Sequence, residues 1–310
     1  MSNLDPAALE CLAAIVEEGG FEKAALRLHV TQSAVSQRLR ALEAQVGSVL
    51  VVRSRPLKAT AAGQRLLKHV KQLRLLRADL ERDLQELAPL AHGDQDNERI
   101  SIAINADSIA TWALPALQGL AQQRLSLEVI ADDQDFTQDW LRSGEVLGCV
   151  TTLSQALRGC RMVPLGAMHY VAVAAPGYAA QHVPQGLSRG NFRDLPFLSY
   201  NRKDDMQAVF VAQAMGLPRV DLQHLYLPSS EGQLRAVAAG WGLGVVPELL
   251  ARPGLADGSL VNIAPAHVLA VDLYWHCWNL QSGLLQALTE AMLSTARASL
   301  EPSGQTAPAA

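Results

Sequence analysis

The sequence predicts an α+β chain of several domains: a small winged helical module, one long linker helix and a two-lobed α/β region. Three observations carry this. Residues 4–47 hold three closely spaced helical patterns, and residues 60–87 hold one unbroken one. From residue 100 onward, short β-branched runs alternate with helical segments. Charge divides the chain in the same way. Residues 23–77 carry twelve Lys and Arg against a single acid, Glu43, a local balance of +11. The whole chain of 310 residues sums to −4, so the other 255 residues sum to −15. A basic segment on an acidic chain points to a polyanion-binding module joined to a domain with another task.

In the first helix Leu9, Leu12, Ala13 and Val16 follow helical spacing, and Gly19-Gly20 stops it. A second helix runs from about Phe21 to His29, with Ala24, Ala25 and Leu28 facing inward. Thr31 is a good N-cap for a third, in which Ala34, Val35, Leu39 and Leu42 form the apolar stripe and Gly47 ends the helix. Leu50 to Lys58 is a short apolar run entering a basic, Pro-containing turn, which predicts a hairpin wing. These elements make a domain over residues 1–60.

Thr60 caps a helix that Pro89 stops, giving a linker segment over 61–90. Leu66, Val70, Leu73, Leu80, Leu84 and Leu87 form an a/d seam with Arg77 as its polar break. A seam this long has little to bury itself against in a small winged domain, so its expected use is pairing with a second copy. Residues 91–98 are polar and aperiodic, a linker. Strand and helix then alternate over 99–300 as two lobes of mainly parallel sheet. Lobe I covers about 99–168 and 270–300, and lobe II about 169–269. The tail 301–310 is of low complexity and expected to be disordered.

The third helix carries the strongest functional signal. Gln32, Ser33, Ser36, Gln37 and Arg40 share a face away from the apolar stripe. Short hydroxyl and amide groups near a helix N-terminus suit base edges in a major groove. A merely exposed helix would show Glu–Lys pairs there instead. Arg38 and Arg40 suit phosphates or guanine, and Arg53, Arg55 and Lys58 on the wing suit phosphates or a minor groove.

Other signals are set aside. Gly240-Trp241-Gly242-Leu243-Gly244 follows a helix and precedes a strand, the wrong order for a dinucleotide loop. The eight His show no metal spacing, and no G-x-S-x-G elbow occurs. Cys11, Cys149, Cys160 and Cys277 form no C-x-x-C pair and read as buried structural thiols. No cofactor, metal or catalytic constellation is expected. That disfavours an enzyme carrying a fused DNA-binding module. With no signal peptide and no apolar run of 18, the expected location is the cytoplasm, away from any membrane.

Residues 4–65 resemble the N-terminal domain of LysR-type transcriptional regulators. The marks are A-A-x-x-L in the second helix, TQSAVSQRLRALE, a following Gly, the Arg-bearing wing and T-A-A-G opening the long helix. Within that family, N-A-D-S-I-A-T-W-A-L-P-A-L at 105–117, D-D-M at 204–206, S-S-E at 229–231 and L-Y-W-H at 273–276 resemble the arginine- and lysine-responsive ArgP type. The resemblance implies a regulator that binds double-stranded DNA through Thr31, Gln32, Ser33, Ser36, Gln37, Arg38, Arg40, Arg53, Arg55 and Lys58. It also implies a homodimer or tetramer, and a periplasmic-binding-protein-like effector domain with a site between its lobes. An architectural protein that binds origin or AT-rich DNA and inhibits replication initiation is the alternative it carries.

The residues support a ligand site independently. Asn105-Ala106-Asp107-Ser108 sits where a strand ends and a helix begins, the usual place for a ligand in an α/β sheet. Free N–H groups there would hold a carboxylate, with Ser108 adding a hydroxyl. Asp107, Asp132, Asp133, Asp205 and Glu231, with Ser229, lie at element ends that could converge on a cationic partner, lysine or arginine. For each acid taken singly, an N-cap or solvated loop is an equally good reading. Ser229-Ser230-Glu231 in particular has the form of a helix N-cap, and Tyr274-Trp275-His276 that of a half-buried strand.

Overall fold

Asp5 opens the first helix, α1 (Pro6–Glu17), with its side chain accepting from the Ala7 N–H. The computed structural model describes residues 4–52, 54, 57–87, 99–122, 126–132 and 136–303. Helix α2 (Phe21–Arg27) ends two residues before the sequence suggests. The chain then turns through His29 at φ 53°, the one non-glycine residue in the left-handed region among those described. A glycine is common at such a turn; here a histidine bears the strain. Helix α3 (Gln32–Val46) begins at Thr31, whose hydroxyl oxygen accepts from the Ala34 N–H, and ends at left-handed Gly47. Its buried residues Val35, Leu39 and Leu42 meet Leu12 and Ile15 of α1 in the core of the winged domain. The wing is β1 (Val51–Val52) paired antiparallel with β2 (Lys58–Ala59).

The wing is locked to the long helix α4 (Ala61–Leu87) by one close approach. The Thr60 hydroxyl donates to the Val49 carbonyl and accepts from the Gly63 N–H. A Cβ on Gly63 would stand 2.1 Å from the Leu50 carbonyl oxygen, so the G of T-A-A-G is required by contact and not by backbone angle. Glu43, the lone acid of the basic segment, accepts from the Leu50 N–H at 2.9 Å and holds the same junction. Gly63→Ala is expected to destabilise the winged domain by about 1–3 kcal/mol, as overpacking against backbone does. Thermal unfolding of the variant checks this; an unchanged midpoint refutes it.

Helix α4 divides its described apolar residues between two cores and an exposed stripe, which corrects the single seam expected. Val70 is buried in the winged core, with Leu66 packed against the same cluster. Leu75 joins the core of the α/β region. Leu73, Leu76 and Leu80 remain exposed at 46%, 39% and 57%. The polar positions divide too. Arg74 is ion-paired to Glu10 at 2.5 Å and Glu17 at 2.9 Å on α1, and Lys71 donates to the Glu145 carbonyl at 3.1 Å. These two cations of the basic segment therefore hold the chain to itself. Leu84 and Leu87 fall outside the described side chains, as residues 91–98 fall outside the described chain.

The α/β region opens with β3 (Arg99–Asn105), which leads directly into α5 (Ala106–Ser108), a π turn over Ile109–Ala113 and α6 (Leu114–Gln122). Then follow β4 (Ser126–Asp132), α7 (Thr137–Ser143), β5 (Gly148–Thr151), the long β6 (Cys160–Ala174), α8 (Pro176–His182), β7 (Pro196–Ser199), α9 (Met206–Met215) and β8 (Gln223–Tyr226). The chain ends with α10 (Ser230–Ala238), β9 (Leu243–Pro247), α11 (Glu248–Asp257), β10 (Val261–Asn262), β11 (Leu269–Trp278) and α12 (Gly283–Ser299). The strand order is β4-β3-β5-β11-β6-β9-β7-β8, with β10 also on β6.

The outer strands pair parallel, β3 with β4 and β5 on one side and β7 with β8 and β9 on the other. The centre is antiparallel, so the sheet is mixed and not mainly parallel. The reason is that β6 and β11 run between the two lobes, pair with each other over ten residues and contact strands of both sides. Sequence periodicity finds only the last five residues of β6, because its first half contains Gly166 and Pro164 at a bulge opposite Leu273/Tyr274. It also misses α11, which holds Pro253. The Gly240–Gly242 turn joins α10 to β9, as its order in the sequence indicates. Glu301 forms an isolated bridge with Ala167, so the first residues of the tail are ordered; 304–310 lie outside the described residues.

Candidate functional site

Two surfaces collect the polar groups singled out in the sequence. The first is the outer face of α3. Gln32, Ser33, Gln37 and Arg40 are exposed there and Ser36 is half-buried. Thr31 is exposed, but its hydroxyl oxygen is engaged at 3.2 Å in capping the helix. Arg38 turns the other way. It is half-buried, with Nη1 3.9 Å from Cys11 Sγ on α1, because position 38 flanks the apolar stripe. Lys58 is exposed on β2; Arg53 and Arg55 fall outside the described residues.

The second is a cleft between the lobes. One wall is Asn105, Ala106 and Asp107 at the end of β3, with Asp132 beside them at the end of β4. The opposite wall is Tyr200, Asp204, Met206 and Gln207 around the start of α9, with Ser230 and Gln233 of α10. Val245, Val246 and Pro247 of β9 form the floor. The starts of the helical run at Ala106, of α9 and of α10 therefore all border one space, where N–H groups favour anions.

Asp107 is the most enclosed of the acids. Its carboxylate accepts from the Tyr170 hydroxyl at 2.7 Å, on β6, and from Ser230 across the cleft. Burial raises its pKa above the usual carboxylate range, those two hydrogen bonds oppose the rise, and Asp204 adds repulsion. Asp204 accepts from the Tyr200 N–H at 2.7 Å and the Met206 N–H at 3.0 Å. Burial raises its pKa too, against those two bonds, and the neighbouring Asp205 adds to the rise. Asp132 Oδ2 accepts from Trp140 Nε1 at 2.9 Å. Asn105 and Gln207 are each 2% exposed, and Asn105 Oδ1 and Gln207 Oε1 are buried without a hydrogen-bond partner. None of the described lining residues is Lys or Arg.

The structure brings Asp107 and Asp132 into the cleft and leaves Ser108, Asp205, Ser229 and Glu231 out of its lining. Ser108 is fully buried and accepts from Trp112 Nε1 at 3.0 Å within its own helical run. Asp205 is exposed, because Asp204, one residue earlier, makes the Asx-type turn that starts α9. Ser229 is exposed and spends its hydroxyl oxygen on the Gly232 N–H, as an N-cap should. Glu231 points outward in the first turn, and Ser230 between them lines the cleft. Asp133 lies outside the described residues. Trp275 and His276 are buried in β11 and line no part of the cleft. Asp204, Gln207 and Ser230 had no sequence signal beyond lying beside the residues chosen. A helix start shows where a site is, but not which of two neighbours turns inward.

Residues 6–64 match the model of the bacterial regulatory helix-turn-helix protein, lysR family, and residues 93–297 that of the LysR substrate binding domain. The HTH-type transcriptional regulator ArgP of Aeromonas salmonicida is 39% identical over 303 residues, 97% of this chain and all of that protein. The crystal structure of ArgP from Mycobacterium tuberculosis superposes with a TM-score of 0.85 at 40% identity, covering 97% of this chain and 100% of that one. Full-length LysG from Corynebacterium glutamicum with bound effector Arg gives a TM-score of 0.74 at 33% identity, over 96% of this chain and 100% of that one.

Proposed function

Because the chain belongs to the LysR family and is a DNA-binding transcriptional regulator, not an enzyme, we propose that its effector is a basic amino acid, lysine or arginine, held in the interlobe cleft. The observation that carries this is charge. Asp107, Asp132 and Asp204 share one cleft whose described lining holds no Lys or Arg. Burial of Asp107 and Asp204 penalises their charged forms, and a cation brought into the cleft offsets that penalty. The two buried amide oxygens want N–H donors, which ammonium and guanidinium provide. The helix starts suit the ligand's carboxylate. The arginine-bound C. glutamicum LysG supports the same class. Promoter regulation is favoured over the architectural origin-binding reading, since the matched relative is a transcriptional regulator. Isothermal calorimetry of the full chain with arginine, lysine, glutamate and leucine tests the proposal. Saturable binding of arginine or lysine alone supports it; no binding of either refutes it.

On the DNA side, Gln32, Ser33, Ser36, Gln37 and Arg40 read base edges, while Thr31, Arg53, Arg55 and Lys58 meet the backbone or minor groove. Arg38 is left out of this set, since its side chain packs on α1. The exposed leucines of α4 join two copies, and dimers can pair further as tetramers. No helix among the described residues is long and apolar enough to cross a membrane, and the place of action is the cytoplasm, with DNA. Gln37→Ala is expected to lower affinity for the cognate operator about tenfold, within the ~1–3 kcal/mol of a base contact, and to leave random DNA unchanged. Lys58→Ala should weaken both alike. Gel shifts on the two DNAs decide; equal losses for Gln37→Ala count against base reading.

A further inference from the structure

Charge alone would let the cleft accept any small cation, yet the cleft contains an acceptor that charge does not satisfy. Gln207 sits in the first turn of α9, 2% exposed, and lines the space between the lobes. Its Nε2 donates to the Leu198 carbonyl at 2.6 Å and stands 3.5 Å from Asp204 Oδ2. Turning the amide over would set Oε1 against that carbonyl and that carboxylate, three acceptors together. The orientation is therefore fixed, and it leaves Oε1 buried and without a partner.

Resting on the reading of the cleft as a basic amino-acid site, we infer that Gln207 is a specificity-determining residue: its fixed Oε1 accepts an N–H from one of the ligand's two cationic ends. The carboxylates draw in any cation, and Gln207 admits only one that can donate a hydrogen. A quaternary ammonium has the charge and no N–H, so it leaves the desolvated acceptor unmet. Selection here works by the penalty of an unpaired buried group, which discriminates more sharply than charge. Asn105 Oδ1, on the facing wall, is in the same condition, so the demand for N–H donors comes from both lobes.

Calorimetry on the full-length protein tests this with four probes: L-arginine, L-lysine, Nε-trimethyl-lysine and 6-aminohexanoate. The last two lack N–H donors at the side-chain end and at the α-amine respectively. In the unmodified protein, trimethyl-lysine or 6-aminohexanoate binds at least tenfold more weakly than lysine; equal affinity of all three overturns the inference. Gln207→Met, which keeps length and removes the acceptor, lowers lysine and arginine affinity at least tenfold. Its effect vanishes for whichever analogue lacks the donor that Gln207 reads. A Gln207→Met loss below twofold, or one equal for all four probes, overturns the inference, the latter marking a merely structural residue. If arginine and lysine fail to bind the unmodified protein, the cleft reading itself is what falls.

Discussion

Asp107→Asn is expected to lower effector affinity about a hundredfold while leaving operator binding without effector unchanged. Asparagine keeps the shape and keeps an oxygen for the Tyr170 hydroxyl, so the lobes stay assembled around it. What it removes is the most enclosed negative charge in the cleft. Truncating one partner of a buried, hydrogen-bonded charge pair costs about 2–5 kcal/mol, and the middle of that range is two to three powers of ten. Calorimetry with arginine and lysine measures the effect, with gel shifts on the operator as the control. Affinity within threefold of the unmodified protein would refute it.

A pH dependence accompanies this substitution, and its sign follows from the raised pKa values. Asp107 and Asp204 are both held above the usual carboxylate range, chiefly by burial, and Asp204 also raises Asp107. A carboxyl whose folded pKa lies above its unfolded one binds more protons when folded. Its contribution to stability is present at low pH and is lost as pH rises through the folded value. A bound cation reverses this by favouring the ionised forms, so the pair releases protons on binding. Affinity therefore rises with pH until the free cleft is fully ionised, then levels off. Measured between about pH 5 and pH 8, the slope reports protons released by the pair, not by either residue alone. Asp107→Asn should flatten it, and an affinity that falls with rising pH would contradict the scheme.

The places where sequence and structure part have a common physical cause. Caps and periodicities are local, and they were legible: Thr31, Gly47, Thr60 and Ser229 do what their residue types favour at helix ends. The wing, the long helix and the alternation of strands and helices follow from the same local rules. What is not local was missed. The antiparallel centre of the sheet arises from two strands that cross between lobes, and nothing in a run of β-branched residues states its partner's direction. At the cleft, Asp107 and Asp132 were legible because strand ends in parallel sheets gather there. Asp204 and Ser230 were not, since each sits one residue from an acid or hydroxyl of equal merit. The basic segment shows the same limit. Its charge correctly marks the DNA-binding end, yet Arg27 pairs with Glu17 and Glu18, Arg74 with Glu10 and Glu17, and Lys71 with a backbone carbonyl. A balance of +11 therefore overstates the charge free to meet phosphates.

Leu80→Glu is expected to convert the dimer to monomer and to lower operator affinity at least a hundredfold. Leu73, Leu76 and Leu80 stand on one stripe of α4 at spacings of 3 and 4 and are, among its described leucines, the ones left exposed. The stripe starts only where Leu66 and Val70 have been claimed by the winged core, and it passes through Leu76 and not Arg77. Arg77 lies beside it, exposed and paired with Glu81 at 2.9 Å, as a flanking charge of a paired helix would be. A glutamate at 80 would place two like charges in an apolar seam. The fold of a single copy should hardly notice, because the residue is exposed there, and surface changes usually stay within about 0.5 kcal/mol. Two recognition helices on one operator gain about 10²–10⁴ over one through effective concentration, and a monomer forfeits that gain. Sedimentation of the variant reads the assembly, and gel shifts read the affinity. A dimer that persists, or a monomer that binds the operator within threefold of the unmodified protein, would refute the assignment. Both readouts are needed, because losing affinity while remaining a dimer would mean that Leu80 acts through the placement of the winged domains and not through pairing.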